Sequence, residues 1–380
     1  MRSTVELFPT HAATAATEAH RLETYDFTLP ESAIARRPAQ QREQARLLVC
    51  HRNAGRLEHR TVADLPALLP ADAVLVVNNS RVAPARLFGH KETGGRVECL
   101  LLTPLPLLER AAQPASRATP GNWQEAPASA LLRAAKRPRP GQRILFAEDL
   151  HAVMQQEQDF GMADIVLRWQ GDLHGILNRI GQLPLPPYLE REPEAEDAER
   201  YQTIYARADK TGSVAAPTAG LHLTPAIRAA CLARGMDWVE ATLHVGYGTF
   251  SPVRTANILE HVMHSEYVEL SEDAATTIAT AKQAGRPVVA IGTTSCRILE
   301  GVHRACGRVQ AHAGWTDIFL YPGESLHVVD HLVTNFHLPK STLFMLVCAV
   351  AGTTFMHHAY GQALQEGYRF YSYGDAMCIL

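Results

Sequence analysis

Regular alternation of apolar and polar positions begins at Tyr25. Leu47–Cys50, the turn Asn53-Ala54-Gly55 and Leu57–Val62 predict a β-hairpin. Ala73–Val77 (AVLVV) is apolar at every position, the pattern of a strand covered on both faces. From residue 85 to 170, short apolar runs flank Gly and Pro turns. Arg86–Phe88 and Val97–Leu102 bracket Gly94-Gly95. Ala130–Ala134 and Gln142–Phe146 bracket Pro138-Arg139-Pro140-Gly141, and Val153–Gln156 and Ala163–Trp169 bracket Asp159-Phe160-Gly161. Such spacing predicts a small β-barrel. Residues 106–128 inside it have no period, are rich in Pro and Ala, and read as a mobile loop.

After Gly171 the period changes. Thr224 caps a helix that starts at Pro225 and ends at Gly235, and Asp237–Leu243 reads as a strand. Ser271 and Gly285 bound a second helix, Pro287–Ile291 is a buried strand, and Thr294 and Ser295 open a third helix. Helices alternating with short apolar strands indicate an α/β fold. The expected architecture is a discontinuous α/β domain (residues 23–84 and 171–380) with an inserted small β-barrel domain (85–170). A flexible extension over residues 1–22 precedes it. A chain of 380 residues has room for both cores.

Composition narrows the class. Apolar residues make up 46% and charged residues 20%, as in globular proteins. A formal charge of -3 argues against a uniformly basic nucleic-acid coat and leaves room for a local basic patch. The 7 cysteines are odd in number, widely spaced and without a CxxC pair. Neither a disulfide framework nor a structural zinc site is expected, and a cytoplasmic monomer fits. The longest apolar run, Leu343–Ala351, suits a buried helix and is too short for a membrane span.

The candidate chemistry follows the apolar runs. Thr218-Ala219-Gly220-Leu221-His222 puts a hydroxyl, a Gly and an imidazole before the capped helix; alone, it reads as a helix-entry turn. His244 stands at the end of a strand, where ligand crevices of α/β sheets lie, and Gly246 and Gly248 allow close approach or simply a tight turn. Gly292-Thr293-Thr294-Ser295 joins a strand to a helix start that could hold a carboxylate or phosphate, or be ordinary capping. Asn335 and His337 share a face if their segment is a strand, and could read a base edge or ribose. His264 and Glu266 alternate in the same way, as a proton-transfer pair or a surface ion pair. Aromatic residues in Tyr368–Asp375 could stack on a base, although Phe370 reads as core. Asn78-Asn79-Ser80-Arg81 puts four polar groups directly after AVLVV, which packing alone does not justify. Arg133, Lys136, Arg137 and Arg139 form a basic hairpin suited to RNA phosphates.

Taken in order, these segments resemble the S-adenosylmethionine:tRNA ribosyltransferase-isomerases of the queuosine pathway. The resemblance is carried by YDFTLPESAIARRP (Tyr25–Pro38), VVNNSRVAPARLFG (Val76–Gly89), LPLPPY (Leu183–Tyr188), YQTIYA (Tyr201–Ala206) and VAAPTAGLH (Val214–His222). It continues through TLHVGYGTFSPVR (Thr242–Arg254), HSEY (His264–Tyr267), GTTSCR (Gly292–Arg297), IFLYPG (Ile318–Gly323), LVTNFHLPKSTL (Leu332–Leu343) and RFYSYGDAM (Arg369–Met377). Cys296 and Tyr247 depart from the family pattern, which more often has an aliphatic and a small residue there.

The resemblance implies a reaction. The ribosyl group of S-adenosylmethionine, a co-substrate, is transferred and isomerised onto 7-aminomethyl-7-deazaguanine at the tRNA wobble position, and adenine and methionine leave. It implies no prosthetic group, metal or membrane. His244 or His222 would be the base or acid, with His264 and Glu266 as further proton-transfer candidates. Gly246, Gly248, Thr249, Thr293, Thr294, Asn335 and His337 would hold S-adenosylmethionine. Asn78, Asn79, Arg81, Arg133, Lys136 and Arg137 would meet tRNA. A non-catalytic tRNA-binding protein would need only the basic hairpin and aromatics, leaving the polar strand-end loops unexplained. A metallohydrolase lacks an HExxH pattern, and a methyltransferase would move the methyl group in place of the ribosyl group.

Overall fold

Four strands, Asp237–Leu243, Val74–Asn78, Val288–Ile291 and His331–Asn335, lie side by side and all run parallel. Their apolar runs are continuous because both faces are covered. Val74, Val76, Ala290 and Leu332 pack with the helices Glu272–Gln283, Thr293–Cys306, Thr342–Ala351 and Thr353–Gln365. Leu75, Val77, Val289, Ile291 and Val333 pack with Pro225–Ala233 and the turn Leu65–Leu68. Antiparallel strands Glu266–Leu270 and His312–Thr316 extend one edge. At the other edge, Ala376–Ile379 runs antiparallel to His331–Asn335, and the hairpin Arg46–His51/Arg56–Thr61 completes a nine-stranded sheet. The computed structural model describes residues 18–115, 122–250 and 252–380, without the side chains of Thr249 and Phe250.

The second body is a barrel. Arg86–Lys91, Arg96–Leu101, Trp123–Arg133, Arg143–Ala147, Leu150–Glu157 and Met162–Gln170 form a ring, which closes where Met162–Gln170 pairs with Trp123–Arg133. Its core includes Leu87, Val97, Ile165 and Trp169. The fold class read from the sequence, an α/β domain with an inserted barrel, is therefore observed. No single described helix is long and apolar enough to cross a membrane.

Three local expectations need correction. The segment 106–128 is structured on both sides of residues 116–121, which lie outside the described residues. Leu105–Ala111 is a helix whose Leu105 and Leu108 enter the barrel core, and Trp123–Arg133 is its longest strand. The inward side chains there are Ala126, Ala128 and Ala130, too small to give a strong period of two, and Pro127 argued against a strand. Residues 134–142 make no hairpin. The strands they join pair with other strands, so the basic residues sit on a crossing connection. Residues 1–17 of the expected extension lie outside the described residues, but 18–22 are packed. Leu22 is buried, and its N–H donates to Ala256 O at 2.9 Å.

Burial also sets the charge of several histidines. It pushes His151, His222 and His244 down to about 4 and His337 to about 3, from an ordinary value of 6.5. The unfolded chain therefore binds more protons than the folded one between these limits. Stability is full above about pH 6.5 and falls as the pH drops toward 4. Urea denaturation at stepped pH should show the midpoint declining across that window, with a loss of several kcal/mol. A flat profile down to pH 4.5 would contradict neutral burial of these rings.

Candidate functional site

Because the four central strands are parallel, their carboxyl ends, Leu243, Asn78, Ile291 and Asn335, meet at one edge of the sheet. Crevices in α/β sheets form outside such an edge. An open cleft lies there, with Val245, Gly292, Thr293, Thr294, Asn335 and His337 contributed by the segments that end these strands. Ala215–Ala219, Tyr188, Tyr371, Ser372 and Ser341 complete much of the wall. Among the described residues, no Asp, Glu, Lys or Arg lines it.

Gly292 turns the chain from strand into helix with φ 92°, a conformation that L side chains rarely adopt. The helix Thr293–Cys306 has no side-chain cap, and Thr293 and Thr294 at its start form cleft wall. Ser295 Oγ bonds back to Ile291 O at 2.8 Å, while Thr294 Oγ1 has no partner. Uncapped N–H groups with free hydroxyls favour an anionic ligand group.

On the opposite wall, His337 N–H donates to Tyr360 OH at 3.0 Å, and Thr334 Oγ1 lies 2.9 Å from His337 Nε2. His337 follows the strand rather than belonging to it, because His331–Asn335 ends two residues earlier. Asn335 Nδ2 lies 3.1 Å from His222 Nε2 and donates to Tyr371 O at 3.0 Å. His222 itself stands behind the wall, in a separate small pocket with Arg42 and Tyr373. Phe370 is fully buried against Phe336, the core role its sequence suggested.

Other expected residues point elsewhere. Val245 lines the cleft, whereas His244, just past the strand end at Leu243, lies outside its wall. There it is buried near the Lys210–Glu269 ion pair, with neither ring nitrogen partnered. Glu266 is buried in an ion pair with Arg297 and accepts Gly246 N–H at 2.8 Å, so it braces the loop and is not free to exchange protons with a ligand. Arg297 is equally buried. His264 precedes the strand that begins at Glu266 and packs on Gly248, where an added Cβ would come within 2.6 Å of His264 Cβ. Gly248 is thus required for packing. The Thr249 side chain lies outside the described residues.

Asn78 and Asn79, expected at RNA, are inside the protein. Asn78 bonds both the N–H and the C=O of Leu243, at 3.0 and 2.9 Å. Asn79 Oδ1 accepts from Thr242 Oγ1 at 2.8 Å. Arg81, Arg133, Lys136 and Arg137 are all exposed; Arg137 is paired with Glu157, and Arg133 lies 3.9 Å from Glu98. Arg133 lines a larger groove, about 1290 Å³, between barrel residues such as Arg86 and Leu131 and the segment Pro184–Glu192. The sequence reading did not single out Tyr188 or Ser341. Their signal lay only in the LPLPPY and LVTNFHLPKSTL stretches. Among the described residues, no three His, Cys, Asp or Glu side chains converge as metal ligands would.

This geometry can be set beside known proteins. The profile of the family described as "Queuosine biosynthesis protein" matches residues 22–379. The chain is 54% identical to the S-adenosylmethionine:tRNA ribosyltransferase-isomerase of Nitratidesulfovibrio vulgaris, over 94% of this chain and 97% of that one. The enzyme of the same name from Desulfitobacterium hafniense is 46% identical, over 95% of this chain and 100% of that one. The crystal structure of the S-adenosylmethionine tRNA ribosyltransferase of Thermotoga maritima is similar with a TM-score of 0.51 and 31% identity, over 94% of this chain and 100% of that one. Near-complete coverage with one arrangement of barrel and sheet leads to one conclusion: the chain belongs to the queuosine biosynthesis protein family.

Proposed function

We propose that this protein is an S-adenosylmethionine:tRNA ribosyltransferase-isomerase, acting on 7-aminomethyl-7-deazaguanine at the wobble position of tRNA and releasing adenine and methionine. The observation that carries the reading is the cleft at the carboxyl edge of the sheet, walled by an uncapped helix start and by neutral polar groups. The methionine carboxylate would sit at Thr293 and Thr294. A sulfonium in a cleft without a carboxylate has no counter-charge, and the reaction discharges it as methionine leaves as a neutral thioether.

The chemistry needs a base for a ribose 5′ proton, acidified by the adjacent sulfonium, and an acid for the departing adenine. Among the described residues that line the cleft, the imidazole is His337. In our reading the proton-transfer role first given to His222 or His244 therefore passes to His337. Its burial keeps the ring neutral and weakens it as a base, and makes the protonated ring a strong acid toward adenine. Thr334 Oγ1 holds the ring through Nε2. The exposed cations Arg81, Arg133 and Lys136 and the groove beside the barrel would receive tRNA phosphates and the loop that carries the base.

With His337→Gln, single-turnover release of adenine should slow by roughly 100- to 10,000-fold while S-adenosylmethionine still binds. His244→Gln, outside the cleft wall, should leave the rate within a few-fold. An unchanged rate in His337→Gln would remove this ring from the chemistry. For the nucleic acid, Arg133→Gln combined with Lys136→Gln should weaken tRNA binding and lower the slope of log affinity against log salt by about 2. An unaltered slope would exclude that surface.

A further inference from the structure

Asn335 closes the strand His331–Asn335 and lines the cleft, yet only 2% of it is exposed. Its amide is held in one sense. Nδ2 donates to Tyr371 O at 3.0 Å and to Asp375 O at 3.5 Å, and lies 3.1 Å from His222 Nε2. Two carbonyl oxygens can only accept, so reversing the amide would set Oδ1 against both. Oδ1 has no hydrogen-bond partner. A buried acceptor left without a donor is costly, and native proteins rarely keep one without a use.

The surroundings enforce this sense. His222 lies on the far side of Asn335 from the cleft, with its Nε2 accepting, and the Arg42 backbone hydrogen-bonds to the ring. Tyr371 adopts φ 75°, a strained conformation for a residue with a side chain, and its N–H is tied to Phe336 O at 3.2 Å. Its carbonyl meets Asn335, and its ring lies 3.8 Å from that of Tyr188, both rings lining the cleft. The orphan acceptor therefore belongs to a side chain that shares the cleft wall with two aromatic residues, beside which a planar base can rest.

We propose that Asn335 Oδ1 is a specificity determinant that accepts a hydrogen bond from the 6-amino group of adenine, with His222 as the positioning residue that holds the amide in this sense. The proposal rests on the reading that S-adenosylmethionine occupies the cleft. That molecule offers three kinds of donor, the adenine amine, the methionine ammonium and the ribose hydroxyls, and the aromatic residues that share the cleft wall favour the base. A cleft with no Asp or Glu side chain offers the ammonium no counter-charge, whereas a neutral amide and a neutral amine match.

Calorimetric titration of the full chain with S-adenosylmethionine and with its 6-oxo and 6-hydrogen purine counterparts tests this. Both base analogues should bind roughly 10- to 100-fold more weakly. Equal affinities overturn the proposal, while failure of S-adenosylmethionine itself to bind overturns the reading of the cleft. A counterpart with adenine intact and the methionine amine removed should lose little. If it loses affinity and the base analogues do not, Oδ1 serves the ammonium and the proposal is wrong. In His222→Leu the amide is released to turn, so the preference for the 6-amino over the 6-oxo base should shrink by about tenfold. His222→Gln, which keeps an acceptor, should restore it. An unchanged preference in His222→Leu overturns the positioning role, and the unmodified chain decides the Asn335 role even if that variant fails to fold.

Discussion

A carboxylate buried where three elements meet sets the geometry of the cleft. Glu266 begins the antiparallel strand Glu266–Leu270, pairs with Arg297 in the first turns of the helix Thr293–Cys306, and accepts the N–H of Gly246 in the loop after Asp237–Leu243. Such a pair adds little stability over an apolar replacement, because both charges leave water. Its contribution is register. A buried charge tolerates no partner but the right one, so strand, helix start and loop lock together. Val245, Thr293 and Thr294 become fixed cleft wall. Asn78 does the same for the neighbouring strand by bonding both backbone groups of Leu243.

The parts of the fold legible in sequence were those with local physics. AVLVV and PVVAI announced buried parallel strands because both faces are covered. Thr224, Ser271, Gly235 and Gly285 marked helix ends through their caps and turns. Of the strand Trp123–Arg133, only the end from Ala130 was legible, because Ala126 and Ala128 fill the inner face before it. The site was legible as a set of strand-end loops, since parallel strands deliver their carboxyl ends to one edge.

Its internal wiring was not legible. His222 meets Asn335 across 113 positions, and no local pattern encodes that. His244 and Val245 are neighbours in the turn that follows the strand Asp237–Leu243. Only the packed sheet decides which of them sees the cleft, and it chose Val245. Glu266 looked like chemistry because it is an acid near an imidazole; Arg297, 31 positions away, makes it structural.

The insertion of the barrel has a topological consequence. Ser80, just before the excursion, and Ser213, just after it, are separated by 133 positions, yet their hydroxyls lie 2.8 Å apart. Ser213 Oγ also accepts the N–H of Val245 at 2.9 Å. From the side of the cleft, the whole barrel is therefore a loop whose ends are already closed. The length, charge and surface of the barrel strands can drift over evolutionary time while the two serines hold Val245 in the cleft wall, where the return segment contributes only Tyr188 and Tyr201. The surface offered to a large partner and the pocket offered to a small molecule can then be tuned as separate traits.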